Sequence, residues 1–292
     1  MKKFSKKYGG SRRVENVSGL AQISIDLKPD RSVSDVYINK KMDLTELVKY
    51  VEKKKAAGED LTYFSAFLAA IGRVVYNRPK MNYFVANRHI YEHEKVVLGF
   101  VAKVEFSDTA GQMMVMLPIE KTDTIFTIRD KMKKKLDSFR GKKAENVEKK
   151  GANSAIDVLG KLPNFVRVPV LAAFKWCDKK GLLPASLAQD NLYYSTMIVS
   201  NLGSIKCGAI YHNINDFGNS SSLLTMGEIH DEEVILGGKK TVRKMCEWGM
   251  NFDERIADGF YFAKSGALLQ EVLAHPEMLE EEMGAEIRSE NV

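Results

Sequence analysis

One stretch, T-Y-F-S-A-F-L-A-A-I-G-R-V-V-Y from Thr62 to Tyr76, constrains the fold most strongly. Its apolar residues lie on nearly all sides of a helix, which predicts a helix buried among other elements. Thr62 is placed to begin this helix, and Pro79 ends it. A chain of 292 residues is long enough to bury a large core around it.

Residues on either side of this helix predict a sheet and further helices. Apolar alternation and β-branched runs are typical of strands, whereas Asp43 as an N-cap and an apolar stripe after Gly259 indicate two more helices. The predicted strands are 20–28, 33–38, 83–85, 89–91, the meander V-V-L-G-F-V-A-K-V-E-F and Q-M-M-V-M-L-P-I, Y-S-T-M-I-V-S-N-L-G-S, S-S-S-L-L-T-M-G-E-I and K-M-C-E-W-G-M-N-F-D, with a hairpin at Gly237-Gly238. The sequence has no internal repeat or low-complexity linker and therefore predicts one domain of mixed α/β class.

Several segments of this chain are basic. Residues 1–20 predict a loosely held arm before a domain of residues 21–283, and residues 284–292 predict a tail. Residues 124–150 predict an amphipathic helix whose lysines favour a solvated face over a phosphate- or nucleic-acid-binding patch, since no interleaved aromatics support the latter. The apolar stripe of this helix consists of Ile128, Met132, Leu136 and Phe139.

The stretch 162–184, L-P-N-F-V-R-V-P-V-L-A-A-F-K-W-C-D-K-K-G-L-L-P, is both apolar and basic. Its charges argue against crossing a bilayer. Packing against the domain is the favoured interpretation. The alternative is a basic segment, anchored by Trp176, that lies on a membrane surface or covers a hydrophobic acceptor site.

Composition narrows the setting of the protein. The formal charge of +6 favours anionic partners, such as phosphate-bearing cofactors, nucleic acid or acidic lipid. The three cysteines, Cys177, Cys207 and Cys246, form no paired motif, so the sequence predicts neither a disulfide framework nor a zinc site. The start, MKKFSKKYGG, lacks the apolar region of a signal peptide. We therefore expect a cytoplasmic protein.

Two motifs gather polar side chains at the ends of predicted elements. Ser200-Asn201-Leu202-Gly203 ends a buried strand, and Asp253-Glu254-Arg255-Ile256-Ala257-Asp258-Gly259 joins a strand to an apolar helix. Alone, the first is typical of turns and the second of a helix N-cap with an ion pair. Found together in this order and at this spacing, the two motifs indicate the fold more strongly than either motif does alone.

In this order the motifs resemble the catalytic core of the 2-oxoacid dehydrogenase dihydrolipoyl acyltransferases and the related chloramphenicol acetyltransferases. Those proteins carry a Ser/Thr-Asn-Leu-Gly strand end and, further along the chain, D-H-R-x-x-D-G. The resemblance covers most of the chain and is best at D-G-F-Y-F-A-K-S-G-A-L-L-Q-E-V-L. It implies an α/β, chloramphenicol-acetyltransferase-like mixed sheet sandwich flanked by helices, to which residues 162–184 look like an addition.

The resemblance also implies acyl transfer from a coenzyme A thioester, at a site between the subunits of a trimer. In the family a His is the general base, a Ser hydroxyl hydrogen-bonds the tetrahedral oxyanion, and the Asp of D-G, commonly paired with an Arg, holds the local structure. Carried over, Ser200 would be the oxyanion donor, Asp258 the structural carboxylate, and Gly259 would permit a tight helix entry. The remaining site positions are Asn201, Gly203 and Arg255.

The general base does not carry over, because Glu254 stands where the family has His. An ordinary carboxylate is several pH units too acidic for this role. Burial can raise the pKa of a Glu, whereas Arg255 would keep it ionised. His212, shortly after the Ser200 turn, is the other candidate base, against a purely structural role. Of the remaining histidines, His89 and His93 are predicted at the surface, and His230 and His275 in a loop or at a helix end.

Two functions follow from the resemblance. The first is a coenzyme-A-dependent acyltransferase with a modified active site, which uses acyl-coenzyme A and a small hydroxyl, amine or thiol acceptor without a metal. The alternative is a catalytically inactive trimeric binding or scaffold protein of the same fold. Both imply a homotrimer or a multiple of trimers, with a membrane-surface contact through residues 162–184 as a further hypothesis. Nucleic-acid binding rests on charge alone and ranks last.

Overall fold

The computed structural model of the chain describes residues 3–103, 112–138, 159–184 and 191–287. The helices in these ranges are α1 (Gly19–Leu27), α2 (Thr45–Ala56), α3 (Tyr63–Asn77), α4 (Ile125–Asp137), α5 (Asn164–Lys180) and α6 (Gly259–Ala274). The strands are β1 (Ser11–Arg13), β2 (Asp35–Asp43), β3 (Tyr83–Ala86), β4 (His89–His93), β5 (Val96–Lys103), β6 (Gln112–Ile119), β7 (Met197–Asn201), β8 (Ser222–Met226), β9 (His230–Leu236) and β10 (Lys239–Asp253).

A mixed seven-stranded sheet organises these elements. Its strand order is β2-β10-β8-β7-β5-β6, and β9 pairs with the first half of β10. The β5–β7 and β7–β8 pairs are parallel, whereas the other pairs of this sheet are antiparallel. Strands β1, β4 and β3 form a smaller antiparallel sheet. The predicted α/β class with a mixed sheet is confirmed.

Helix α3 is buried along most of its length, as its sequence predicts. Thr62 caps it through a reciprocal pair of hydrogen bonds with Ser65, each 3.1 Å between donor and acceptor. On the inner side, the Phe67 ring meets the fully buried Trp248 indole of β10 edge to face, at 5.4 Å between centroids. The core therefore forms between this helix and the long central strand.

The predicted strand 20–28 is wrong, because these residues form helix α1. The Ser18 hydroxyl accepts a hydrogen bond from the Ala21 amide at 3.2 Å and so caps the helix. Only Ile25 of the alternating residues is buried, while Ile23 and Leu27 are exposed. The apolar alternation in the sequence therefore did not mark a buried face. A run this short fits the period of a helix as well as that of a strand.

The expectation of a loosely held N-terminal arm is also wrong for the described residues. Strand β1 pairs with β4, Ser11 opposite His93. Tyr8 is buried, and its hydroxyl donates to the Lys179 carbonyl oxygen of α5 at 3.0 Å. The arm is thus fixed on both sides by tertiary hydrogen bonds that no local sequence pattern announces.

Helix α5 occupies most of the stretch 162–184, and the favoured prediction that its apolar side chains pack against the domain is wrong for most of them. Phe165 is 80% exposed and Trp176 is 58% exposed. Asp178 is the buried residue of this helix; it accepts hydrogen bonds from the Tyr194 hydroxyl and, at 2.8 Å, from the Gly218 amide. A polar anchor and the Phe174 ring, which stacks on Phe217 at 5.3 Å between centroids, thus hold α5 to the domain, and most of its other apolar residues lie at the surface.

The other predicted elements are close to the observed ones. Of the predicted strands between residues 83 and 119, β3 and β4 join the small sheet, whereas β5 and β6 join the large one. The hairpin turns at Gly237 and Gly238, both with positive φ, as predicted. Helix α4 ends at Asp137, so the predicted stripe position Phe139 and residues 139–150 lie outside the described residues, as do residues 288–292 of the tail. Within the described ranges, none of the helices has the length and apolar character that crossing a bilayer requires.

His93 of β4 was predicted at the surface but is buried against the Phe84 ring, 4.5 Å between ring centroids. Burial lowers the pKa of His93 from 6.5 to about 3. The folded chain thus excludes a proton that the unfolded chain binds below its ordinary pKa. This contribution to stability is complete at pH values above the pKa of His93 in the unfolded chain. It is lost as the pH falls towards the pKa of His93 in the folded chain.

We expect the free energy of unfolding to fall by about 1.4 kcal/mol per pH unit below about pH 6.5 from His93 alone. His93→Gln should remove this part of the slope, measured by urea unfolding at a series of pH values. His230→Gln, at an exposed histidine, is the control and should keep the wild-type slope. Parallel curves for wild type and His93→Gln would contradict the prediction.

Candidate active site

The corner that follows β10 is held by a buried ion pair. The carboxylate of Asp253, at the end of the strand, accepts hydrogen bonds from Arg255 Nε at 2.8 Å and Nη2 at 2.7 Å. Both side chains are almost fully buried. Arg255 also donates through Nη1 to the Lys28 carbonyl oxygen at 2.9 Å. A two-pronged pair of this kind fixes the direction in which the chain leaves the strand.

A second buried guanidinium, that of Arg31, lies beside this pair. Its Nε is 4.0 Å from Asp253 Oδ2, and its Nη2 donates to the carbonyl oxygens of Val85 at 3.3 Å and Gly218 at 2.6 Å. Burial lowers the pKa of Arg31. One carboxylate therefore lies between two buried cations, and carbonyl dipoles supply the rest of the solvation.

Glu254 points away from this buried network towards solvent. Its amide donates to the Ser34 carbonyl oxygen at 3.0 Å, which holds the backbone. Its carboxylate pairs through Oε2 with the Lys28 ammonium, and both side chains are about 40% exposed. Within the described residues, Oε1 has no hydrogen-bond partner. The carboxylate is thus accessible, with one oxygen engaged by a cation.

Ser200 lies at the carboxyl end of β7, where it pairs with Thr225 of β8. It is partly exposed, and its hydroxyl makes no hydrogen bond to the described residues. The turn after it is tight, because a Cβ on Gly203 would lie 2.5 Å from the Gly227 carbonyl oxygen. Gly203 is therefore required here by space, and the chain turns away without covering the Ser200 hydroxyl.

Ser200 and Glu254 do not meet within one chain. Ser200 is level with Thr225, and Thr225 is level with Gly249 of β10. Glu254 comes five residues after Gly249, so it lies roughly 16 Å further along the strand direction, in addition to two strand spacings across the sheet. The two groups face opposite ends of the strands.

His212 lies between these two ends. Its amide donates to Asn251 Oδ1 at 3.3 Å, and Asn251 is two residues beyond Gly249 on β10. The imidazole is exposed, with Nδ1 at 3.3 Å from the Asn213 carbonyl oxygen. This ring contacts neither Ser200 nor Glu254 through a hydrogen bond. It is nearer to the Glu254 end of β10 than Ser200 is.

A model of the 2-oxoacid dehydrogenase acyltransferase family (catalytic domain) matches residues 21–173 and 183–280 of this chain. The chain belongs to this family. No curated protein matches it.

Solved structures of this family and its relatives share the fold of this member. The cubic core of the pyruvate dehydrogenase multienzyme complex is 18% identical with a TM-score of 0.56, over 91% of this chain and 93% of the other. The dihydrolipoamide acetyltransferase of Azotobacter vinelandii, in which the role of a serine, a histidine and an asparagine in catalysis was investigated, is 18% identical with a TM-score of 0.55 over the same shares. A chloramphenicol acetyltransferase is 12% identical with a TM-score of 0.54, over 90% of this chain and 99% of the other. At these identities the likeness establishes the fold.

The structural roles carried over from the family resemblance hold only in part. Within the described part of the chain Asp258 pairs with no arginine; it caps α6 by accepting the Tyr261 amide at 2.8 Å, and Asp253 is the partner of Arg255. Gly259 has no positive φ, and a Cβ there would meet no atom within 4 Å, so neither space nor backbone requires a glycine. Asn201 pairs with Met226 across β7 and β8 and extends the strand end that carries Ser200.

Sequence reasoning missed the residues that support the corner from a distance. Lys28 and Arg31 are more than two hundred positions from Asp253. Asp35, also missed, lies opposite Asp253 in the β2–β10 pair and accepts the Ile214 amide at 3.0 Å. Burial and, next, the charge of Asp253 raise the pKa of Asp35. The sequence offered one signal for these residues, the charge of Arg31 in a predicted loop. That charge alone does not indicate which carboxylate it would pair with.

We expect Asp253→Asn to lower the free energy of unfolding by about 3–5 kcal/mol, because it leaves two buried guanidinium groups without a carboxylate. Urea unfolding monitored by circular dichroism measures the change. Asp258→Asn is the matched control, since Asn caps a helix as well as Asp does. Equal stability of the two variants would contradict a central role for the buried pair.

Proposed function

We propose that the protein is a coenzyme-A-dependent acyltransferase whose active sites form between copies of the chain. The observation that carries this proposal is the position of the two functional groups: Ser200 and Glu254 are both accessible, and they lie at opposite ends of the strands. A single chain cannot use both, whereas a ring of copies brings the Ser200 end of one chain to the Glu254 end of the next. Because the family is one of acyltransferases, we propose that Ser200 and Glu254 of neighbouring copies act together in acyl transfer.

In the proposed reaction, the base takes the proton from a hydroxyl, amine or thiol acceptor. The acceptor heteroatom then forms a bond to the acyl carbon, and the carbonyl electrons move to oxygen. The Ser200 hydroxyl donates a hydrogen bond to this oxyanion. Collapse of the intermediate breaks the carbon–sulfur bond, and the proton passes from the base to the leaving sulfur of coenzyme A.

Glu254 is the proposed base because it follows the β10 end at the position that His occupies in the family motif. Its Oε1 is available, but Oε2 is paired with Lys28. We propose that Lys28 turns away when the acceptor and a neighbouring copy cover the corner, since a desolvated carboxylate is a stronger base. His212 is the second candidate, as its ring is exposed and its amide is bonded to Asn251, three residues before Glu254 in the chain.

We propose a homotrimer, or a multiple of trimers, as the assembly. The core of a multienzyme complex with the same fold supports a multimeric arrangement. The alternative function, a trimeric scaffold without activity, is favoured by one observation, the ion pair that engages Glu254 in this chain. Kinetics separates the two functions.

We expect acetyl-coenzyme A consumption, measured as thiol release with a panel of acceptors, to fall about 10²–10³-fold in Ser200→Ala and about 10²–10⁴-fold in Glu254→Gln. Ser204→Ala removes a hydroxyl one turn away and is the control for the first variant. Glu247→Gln is the control for the second. Loss of activity in His212→Ala with an active Glu254→Gln would assign the base to His212 instead.

Calorimetry with acetyl-coenzyme A completes the comparison. Binding without turnover in the natural chain, unchanged by Ser200→Ala and Glu254→Gln, would contradict the acyltransferase proposal and support the scaffold. Transfer that begins only in Glu254→His would show a fold that retains its site but has lost its base.

We further propose that α5 touches an anionic membrane surface. Phe165, Val168 and Leu171 are exposed along its first half, with the half-buried Arg167 and the exposed Lys175 beside them. The acidic residue of this helix, Asp178, is buried, so its solvent side carries only positive charge. An apolar stripe with flanking cations is complementary to anionic lipid.

Vesicle co-sedimentation tests this contact. We expect binding to phosphatidylcholine vesicles only when they contain phosphatidylglycerol, and a several-fold lower bound fraction for Phe165→Ser. Ile235→Ser, at an equally exposed apolar residue on β9, should bind as the natural chain does. If Phe165→Ser instead changes the mass of the oligomer, the stripe is a contact between copies and the lipid proposal fails.

A further inference from the structure

A cleft of about 220 Å³ lies between the end of α1, the β3–β4 turn and the second half of α5. Neither Ser200 nor Glu254 lines it, so it is distinct from the proposed acyl-transfer site. Its wall includes Trp176, Lys179 and Lys180, which lie in the stretch 174–182 that separates the two matched segments of the family model. The cleft is therefore built in part by residues outside the family pattern.

The floor of the cleft contains buried positive charge. Arg31 and Arg255 both line it, and both are about 96% buried. Arg31 Nε has no hydrogen-bond partner among the described residues, although its Nη1 and Nη2 groups donate to carbonyl oxygens. A buried guanidinium with an unused donor is costly unless an acceptor reaches it.

The mouth of the cleft adds accessible cations. Among the described residues, Lys180 has a neutral hydrogen-bond partner, the Asn87 side-chain oxygen, at 3.1 Å. Arg88 is largely exposed and pairs with Asp26 through Nη1 at 3.0 Å. Asn87 and Arg88 form a turn in which both have positive φ. Glycine is strongly preferred at the second of these positions, so an arginine there carries a backbone cost that a ligand contact would explain.

The acidic side chains of the cleft are already engaged. Asp30 pairs with Lys179 at 2.7 Å. Asp178 accepts the Tyr194 hydroxyl and the Gly218 amide. Asp216 accepts the Ser32 amide at 2.9 Å and its hydroxyl at 3.0 Å. Five cationic and three anionic side chains line the cleft. Asp26 and Asp253, which pair with Arg88 and Arg255, do not line it. Lys180 is the lining cation for which the described residues supply no carboxylate partner.

We propose that this cleft binds a small organic phosphate that carries a flat ring. The phosphate would lie between Lys180 and Arg88, above Arg31, since guanidinium and ammonium groups are the usual phosphate donors. The ring would lie on the half-exposed indole of Trp176 at the mouth. A phosphate ester of a nucleoside or of another ring compound has this chemistry.

The two tryptophans make the test direct, because Trp248 is fully buried and Trp176 is exposed at the cleft. Titration of the full chain with phenyl phosphate should change tryptophan fluorescence and saturate at millimolar or lower concentration. Inorganic phosphate should bind more weakly, because it lacks the ring. Lys180→Gln should weaken phenyl phosphate binding about tenfold. Trp176→Leu lacks the fluorescent reporter, so its binding is measured by calorimetry. In this variant phenyl phosphate should bind no more tightly than inorganic phosphate.

Lys175→Gln removes an exposed cation of the same helix outside the cleft and is the matched control. An equal loss in Lys175→Gln and Lys180→Gln, or no saturable binding at millimolar concentration, would overturn the proposal. Ser200→Ala should bind phenyl phosphate normally, so failure of acyl transfer and failure of this site are distinguishable. Coenzyme A and dephospho-coenzyme A are further probes. If Lys180→Gln weakens the binding of coenzyme A but not of dephospho-coenzyme A, the bound phosphate is that of coenzyme A. If Lys180→Gln binds both compounds as the natural chain does, the cleft binds a separate ligand.

Discussion

The buried carboxylate of Asp253 is the interaction on which the functional end of the molecule depends. Arg255 closes on it from the same corner, and Arg31 approaches from a loop that is distant in sequence. Removing a charge from such a cluster is costly in a low-dielectric interior, so the cluster fixes these two chain segments together. The backbone that carries Glu254 is held in place as a result, although its side chain lies partly exposed at the surface, paired with Lys28.

In this arrangement the side chains that support the corner are buried, whereas the candidate catalytic groups are accessible. The same corner turns its buried side chains to the core and its accessible carboxylate outwards, and β7 ends with an accessible hydroxyl at the other end of the strands. Parallel pairing of β7 with β8 and antiparallel pairing of β8 with β10 produce this opposition, because the two strands leave the sheet in opposite directions. Sheet topology thus makes the proposed site a property of an assembly rather than of one chain.

Helix α5 adds a surface that the common fold does not require. One buried aspartate, the Tyr8 contact and the Phe174–Phe217 stack hold it to the domain, while Phe165, Trp176 and Lys175 remain exposed. Its second half also completes a positive cleft that shares Arg31 and Arg255 with the floor of the corner. A ligand there would lie next to the groups that position Glu254.

The sequence by itself determined the class of fold, the buried helix α3 with its Thr62 cap, the β9–β10 hairpin and the two motifs, because each depends on local propensity or on a short fixed spacing. Alternation misled for α1, where a capped surface helix has the same short pattern as a strand, and burial of His93 had no local signal. Only the tertiary structure decided that Asp253 rather than Asp258 holds the arginine, that Lys28 engages Glu254, and that Ser200 lies at the opposite end of the strands. Those facts depend on charges brought together from distant parts of the chain and on strand direction, which residue order alone does not encode locally.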